Sequence, residues 1–160
     1  MIQATDLGSQ SFVLLKLGDR RFAVAASQIS ELVAPSRIFR FPNHTPKIEG
    51  VILRRGRIVP VCDVAESLVG KGLTSRRFYL IAVRHYKQNA EWVALPVSGD
   101  CELIVAEMMA GGDHDAPHVA GWISHGGDVI EVLNLDALTP GEVPLSPASA
   151  VDNSQLEARP

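Results

Sequence analysis

The 160-residue chain carries a few side chains able to bind or react: two cysteines, a His/Asp loop, a cluster of arginines and scattered carboxylates. The loop "GGDHDAPH" puts His114 and His118 four apart with Asp113 and Asp115 beside them, donor types that could hold a divalent metal. Pro117, however, breaks any helix that would bring both imidazoles to one face, so the loop reads as polar surface, with no metal and no cofactor. Cys62 and Cys101 are too few for a disulfide framework, lack the paired spacing of a zinc site and read as reduced thiols. The aspartates and glutamates form no recognisable acid/base pair, and no glycine loop of the phosphate-cradling kind is present. No catalytic residue emerges.

The stretch "GVILRRGRIVPVCD", Gly50 to Asp63, is the more informative one, because it sets Arg54, Arg55 and Arg57 around Gly56 between two apolar runs. Charges at a turn are ordinarily a solvated tip. The sharper reading is a docking site, since a planar guanidinium makes directed hydrogen bonds and also packs on apolar neighbours. A third reading, a nucleic-acid-binding barrel using Arg54, Arg55, Arg57, Arg76 and Arg77, is disfavoured by the net charge of -3 and by the lack of aromatic platforms for stacking bases.

The elements that would position these residues are short. Apolar residues make up 46% and charged residues 21%, so the chain can bury a core as one domain or as two small halves sharing one. No apolar run approaches the roughly 18 residues of a membrane span, and "MIQATDLGSQS" has neither the basic start nor the apolar core of a signal peptide, which predicts a cytoplasmic protein. Runs such as "SFVLLKL", "RFAVAA", "GVILR", "RIVPVC", "RFYLIAV" and "DVIEVLNL" alternate with turn signals, the pattern of an all-β sandwich or barrel. One or two short helices fit after Asp63, which can cap "DVAESLVG", and around Asn134 to Leu138, with a further turn near Ala25 to Ile29. Residues 139–160, rich in Pro, Ser and Ala, read as a disordered tail, and residues 1–11 as a flexible N-terminus.

The chain also repeats itself. A shift of 71 residues aligns Thr45–Ala65 with Ala116–Asp136 and Ala23–Val33 with Ala94–Ile104, without gaps. Gly50 meets Gly121, Gly56 meets Gly127, and Ile52, Val59 and Val61 meet Ile123, Ile130 and Val132. The leading strands "FVLLKL" and "FYLIAV" align at a shift of 66, which predicts five extra residues in the second copy's first hairpin, within "RHYKQNAE". The expectation is a first half of about 12–70 and a second of about 77–138, packed about a pseudo-twofold axis. Gly56 and Gly127 then hold positive φ in hairpin turns. Cys62, whose counterpart is Leu133, is an inert packed thiol. Arg54, Arg55 and Arg57 become His125, Gly126 and Asp128, so the fold does not require the arginines.

At this point the residues reach a family. "GVILRRGRIVPVCD" resembles the "G-V-x-N-L-R-G-x-I-V-P-V-x-D-L" signature of the CheW-like family, the chemotaxis coupling proteins. "FVLLKLGDRRFAVAASQISELV" resembles the family's opening two strands and "V-x-E" element, and "RIFRFPNHTPKIEG" the segment that follows. "WVALPVSGDCELI" and "GWISHGGDVIEVLNLDAL" resemble its closing strands more loosely, so that the likeness spans about Phe12 to Leu138. The sequence departs from the pattern at Leu53-Arg54, where the signature has Asn-Leu, at Asp63-Val64, where it has Asp-Leu, and in the short loop "MMAGGDHDA".

The resemblance implies two packed SH3-like five-stranded β-barrels and a non-catalytic cytoplasmic adaptor at chemoreceptor arrays. One surface would bind the membrane-distal tip of a chemoreceptor, and another the regulatory domain of a sensor histidine kinase. By motif position, Arg55 matches the family's receptor-contacting arginine, and Ile29 and Glu31 match the "V-x-E" element on the receptor side. No motif places the kinase-binding residues. A small β-barrel enzyme or metal-binding protein using His114 and His118, and the nucleic-acid-binding barrel, are the alternatives from other classes.

Overall fold

The computed structural model describes residues 8–40, 47–110 and 116–139. Short apolar runs separated by tight turns become eleven strands: β1 (Ser9–Leu17), β2 (Arg20–Ala25), β3 (Ile29–Val33), β4 (Gly50–Arg54), β5 (Arg57–Val61), β6 (Phe78–Tyr86), β7 (Asn89–Val97), β8 (Glu102–Glu107), β9 (Met109–Ala110), β10 (Val119–His125) and β11 (Asp128–Leu133). A 3-10 turn, Ala26–Gln28, and two helices, α1 (Ala65–Val69) and α2 (Leu135–Leu138), complete the described elements. The Asp63 carboxylate accepts the Ala65 amide at 2.9 Å at the start of α1, and Gly70, at φ 89, ends it. Among the described residues no helix is long and apolar enough to cross a membrane.

The strands form two sheets, in the orders β8-β1-β2-β11-β10-β9 and β3-β6-β7-β5-β4. Each curls into a small SH3-like barrel. The sequence halves do not coincide with the barrels: the first half gives β1 and β2 to one and β3, β4 and β5 to the other, and the second half does the converse. Two parallel contacts join the halves, Val61 to Ala94 and Val132 to Ala23. The shift of 71 turns one into the other, which is the pseudo-twofold in atomic terms. Neither half closes a barrel alone, so each completes the other's.

Three apolar clusters follow from this arrangement. Ile52, Val59, Val61, Tyr79, Ile81 and Ala94 fill one barrel, and Phe12, Leu14, Ala23, Ile123, Ile130 and Val132 fill the other with Ile104. The expected inward stripe is therefore present in both copies. Between the barrels lies a third cluster containing Leu17, Phe22, Val24, Leu80, Leu95, Leu133 and Leu135, together with Cys62. Cys62 is fully buried and burial pushes its thiol up to about 12, as expected for an inert packed position.

The leading hairpins correct the sequence reading. Leu14 pairs with Ala23 and Ile81 with Ala94, so the structural shift between β1 and β6 is 67, not 66. The second copy thus carries four extra residues rather than five, and they lengthen β6 and β7 as paired strand up to Tyr86 and Asn89 instead of forming a loop. One consequence is that Arg84 occupies the place of Leu17. It is 1% exposed, and its Nη2 donates to Glu91 Oε1 at 2.7 Å across the hairpin. The ends shift as well: Ser9 to Ser11 already pair with β8, because that edge offers backbone partners. Thr139 is buried, with its hydroxyl donating to the Leu135 carbonyl at 2.7 Å. The rest of the expected tail, residues 140–160, lies outside the described residues.

The glycines shared by the two copies have two physical reasons. Gly56 and Gly127 have φ of 74 and 85 in the two hairpin turns, as expected. Gly50 and Gly121 are needed for close approach: an added Cβ would lie 2.6 Å from the Phe39 carbonyl oxygen in one copy and 2.6 Å from that of Met109 in the other.

Candidate functional site

The β4–β5 hairpin closes with Arg54 opposite Arg57 and with Arg55 and Gly56 at its tip, both at positive φ, 51 and 74. Two successive positive φ values describe the turn whose twist matches the flanking strands. The equivalent turn in the other half uses Gly126 and Gly127, at 60 and 85. Arg55 therefore occupies a backbone position that glycine fills without strain, as do Lys87 and Gln88, at 50 and 69, in the β6–β7 turn.

The sequence pairs Arg54, Arg55 and Arg57 as one cluster, but the structure gives them three different surroundings. Arg54 projects on the face of Ile52, towards β3, where its Nε donates to Glu31 Oε2 at 2.9 Å and its Nη2 to Oε1 at 2.8 Å. Arg55 reaches the same two oxygens from the tip at 3.3 and 3.4 Å. Arg57 lies over the Trp92 ring, its guanidinium carbon 4.4 Å from the centroid. Side chain exposure follows the same order: 17% for Glu31, 37% for Arg54 and 66% for Arg55. The hydrogen bonds from Arg54, then those from Arg55, hold the Glu31 carboxyl at about 2, below its ordinary 4.5, and the same contact raises Arg54.

Glu31 and Arg55 are thus brought together, as the motif positions imply. Ile29 is not beside them. A bulge between Ile29 and Glu31 puts Ile29 opposite Ala82 and Glu31 opposite Ile81, and directly opposed residues share a face. Glu31 and Val33 face the barrel side with Tyr79 and Ile81, whereas Ile29 and Leu32 face the other side with Leu80 and Ala82. There they line a shallow apolar groove of about 180 Å³ with Cys101 and Leu103. Leu32 and Leu103 are repeat counterparts, so the groove straddles the pseudo-twofold between edge strands β3 and β8. Burial pushes the half-buried Cys101 thiol up to about 11.

The remaining arginines of the nucleic-acid alternative are committed elsewhere. Arg76 donates through Nη1 and Nη2 to Glu49 at 3.1 and 2.6 Å and through Nη2 to Asp63 at 3.1 Å. Arg77 pairs with Asp100 at 3.0 Å. His114 lies outside the described residues. The His118 carbonyl accepts the Asn134 amide at 2.7 Å. Among the described residues no group of three His, Cys, Asp or Glu side chains is placed to hold a metal. Arg54 is the site residue the sequence reading passed over as part of a charged tip. Its signal was the departure from Asn-Leu at Leu53-Arg54.

The family model of the CheW-like domain matches residues 11–143. The chain belongs to the CheW-like domain family. Among solved structures, the scaffolding protein TtCheW from Thermoanaerobacter tengcongensis has a TM-score of 0.69 at 20% identity, over 83% of this chain and 90% of that one. At that identity the likeness is one of fold, and it matches the two-barrel architecture described above. No curated protein sequence matches the chain.

Proposed function

We propose that this CheW-like chain is a non-catalytic cytoplasmic adaptor that couples chemoreceptors to a sensor histidine kinase. Membership of the family over residues 11–143 carries the proposal. The receptor tip would meet Arg55, Glu31 and Ile29. Arg55, 66% exposed at the hairpin tip, and the apolar groove at Ile29 lie to the two sides of β3, so one partner can reach an ionic and an apolar contact together. The kinase regulatory domain would bind on a different surface, leaving the receptor site free in a ternary complex.

The test is reconstitution. The chain, a receptor-tip fragment and the kinase regulatory domain are mixed in pairs and together, and complexes are followed by sedimentation. Binding of both partners at once supports the adaptor. Failure to bind either partner, or competition between the two, contradicts it.

A further inference from the structure

We infer that Arg54 is a positioning residue: it holds the Glu31 carboxylate and thereby leaves the Arg55 guanidinium available to a carboxylate on the partner. The identity of that partner rests on the adaptor reading above, whereas the division of labour between the two arginines rests on the geometry alone.

A carboxylate offers two oxygens, and a side-on guanidinium is the arrangement that satisfies both at once. Both arginines meet Glu31 in that arrangement through Nε and Nη2, but Arg54 does so at 2.9 and 2.8 Å and Arg55 at 3.3 and 3.4 Å, the weak end of hydrogen-bond range, so the Arg54 pair is the stronger. The backbone separates the two roles in the same sense. Arg54 is a strand residue in register with Arg57, so its direction is fixed by the pleat. Arg55 sits in the turn at φ 51, where the other half has Gly126, and its side chain is 66% exposed. Of the two, Arg55 is the one that can leave.

Exchange is then cheap for the site. When Arg55 turns to an incoming carboxylate, Glu31 keeps two hydrogen bonds from Arg54, so no half-buried carboxylate is stranded. Were Leu at the position of Arg54, Arg55 would be the one guanidinium on Glu31 among the described residues, and an incoming carboxylate would have to compete with Glu31 for it. Arg54 therefore biases the site towards an acidic group on the partner.

The test uses the full chain as wild type, Arg54→Leu and Arg54→Leu/Glu31→Gln, each first shown to be folded by circular dichroism. Side-chain nitrogen relaxation of Arg55 is read first, and a receptor-tip fragment is then titrated, with its acidic residues intact or changed to amides. Arg55 is expected to be mobile in the wild type, ordered in Arg54→Leu and mobile again in the double variant. Affinity for the intact fragment should fall about fivefold in Arg54→Leu, the worth of a partly exposed ion pair, and recover in the double variant. The amide fragment should show no such pattern. Arg55 equally ordered in the wild type and in Arg54→Leu, or a loss of affinity that removing Glu31 does not rescue, would overturn the positioning role. A wild type that binds no fragment while Arg55 still follows the expected pattern would remove the receptor reading and uphold the positioning role.

Discussion

Arg54 and Glu31 join the two edges of one sheet: β4 and β3 are the outermost strands of the order β3-β6-β7-β5-β4, and the side-on ion pair at 2.9 and 2.8 Å spans the gap between them. The same pair that organises the site thus also closes the barrel.

This closure should depend on pH. Glu31 is held at about 2 against an ordinary 4.5, so its contribution to stability is fully present above about 4.5 and is lost as the pH falls through about 2. The melting temperature of wild type should exceed that of Glu31→Gln at neutral pH, and the difference should shrink between pH 4.5 and 2. A difference independent of pH across that window would mean that the carboxylate charge is not what joins the edges.

The turn residues should separate fold from function. Gly56→Val and Gly127→Val each force a β-branched residue into positive φ and should destabilise by at least about 1 kcal/mol, measured by denaturant unfolding. Arg55→Gly should leave stability within about 0.5 kcal/mol of wild type, because the other half already runs on Gly126 there. Tolerance of valine at either glycine would refute the turn geometry.

Gly50→Ala and Gly121→Ala should both destabilise, by about 1–3 kcal/mol, since in each the new methyl meets a backbone carbonyl. Matching losses at the two sites would be a direct readout of the repeat. A neutral result at one of them would show that its neighbouring strand moves aside.

The thiols should differ in reactivity. Cys62 is fully buried and held at about 12, while Cys101 is half-buried at about 11, so a thiol reagent should label Cys101 first and Cys62 only on unfolding. Mass spectrometry of the labelled protein reads the order, and early labelling of Cys62 would contradict the packed interface between the barrels.

Much of this was legible in the sequence. The inward stripe of Ile52, Val59 and Val61, the turn glycines and the short helix that follows Asp63 come from local pattern and backbone geometry, which a sequence carries directly. The exchange of strands between halves did not follow, because the pairing of Val61 with Ala94 and of Val132 with Ala23 is a long-range choice that leaves no mark on either segment. The shift of 66 rather than 67 came from matching apolar letters in strands that are apolar on both faces, where a one-residue slip changes the sheet face but hardly the pattern. Ile29 was grouped with Glu31 through the resemblance to the "V-x-E" element, and one bulge sends it to the opposite face. Arg54 was legible only as an oddity, since its role depends on a carboxylate 23 residues away.

The central claim is that Arg55 anchors the receptor contact, and Arg55→Asp tests it. The variant should fold, as judged by circular dichroism, because aspartate tolerates the left-handed turn position at φ 51. Titrated with a receptor-tip fragment, it should lose about thirtyfold in affinity, equivalent to about 2 kcal/mol, while its affinity for the kinase regulatory domain stays unchanged. Unchanged receptor affinity in the folded variant would contradict the account and return the arginines to a solvated turn.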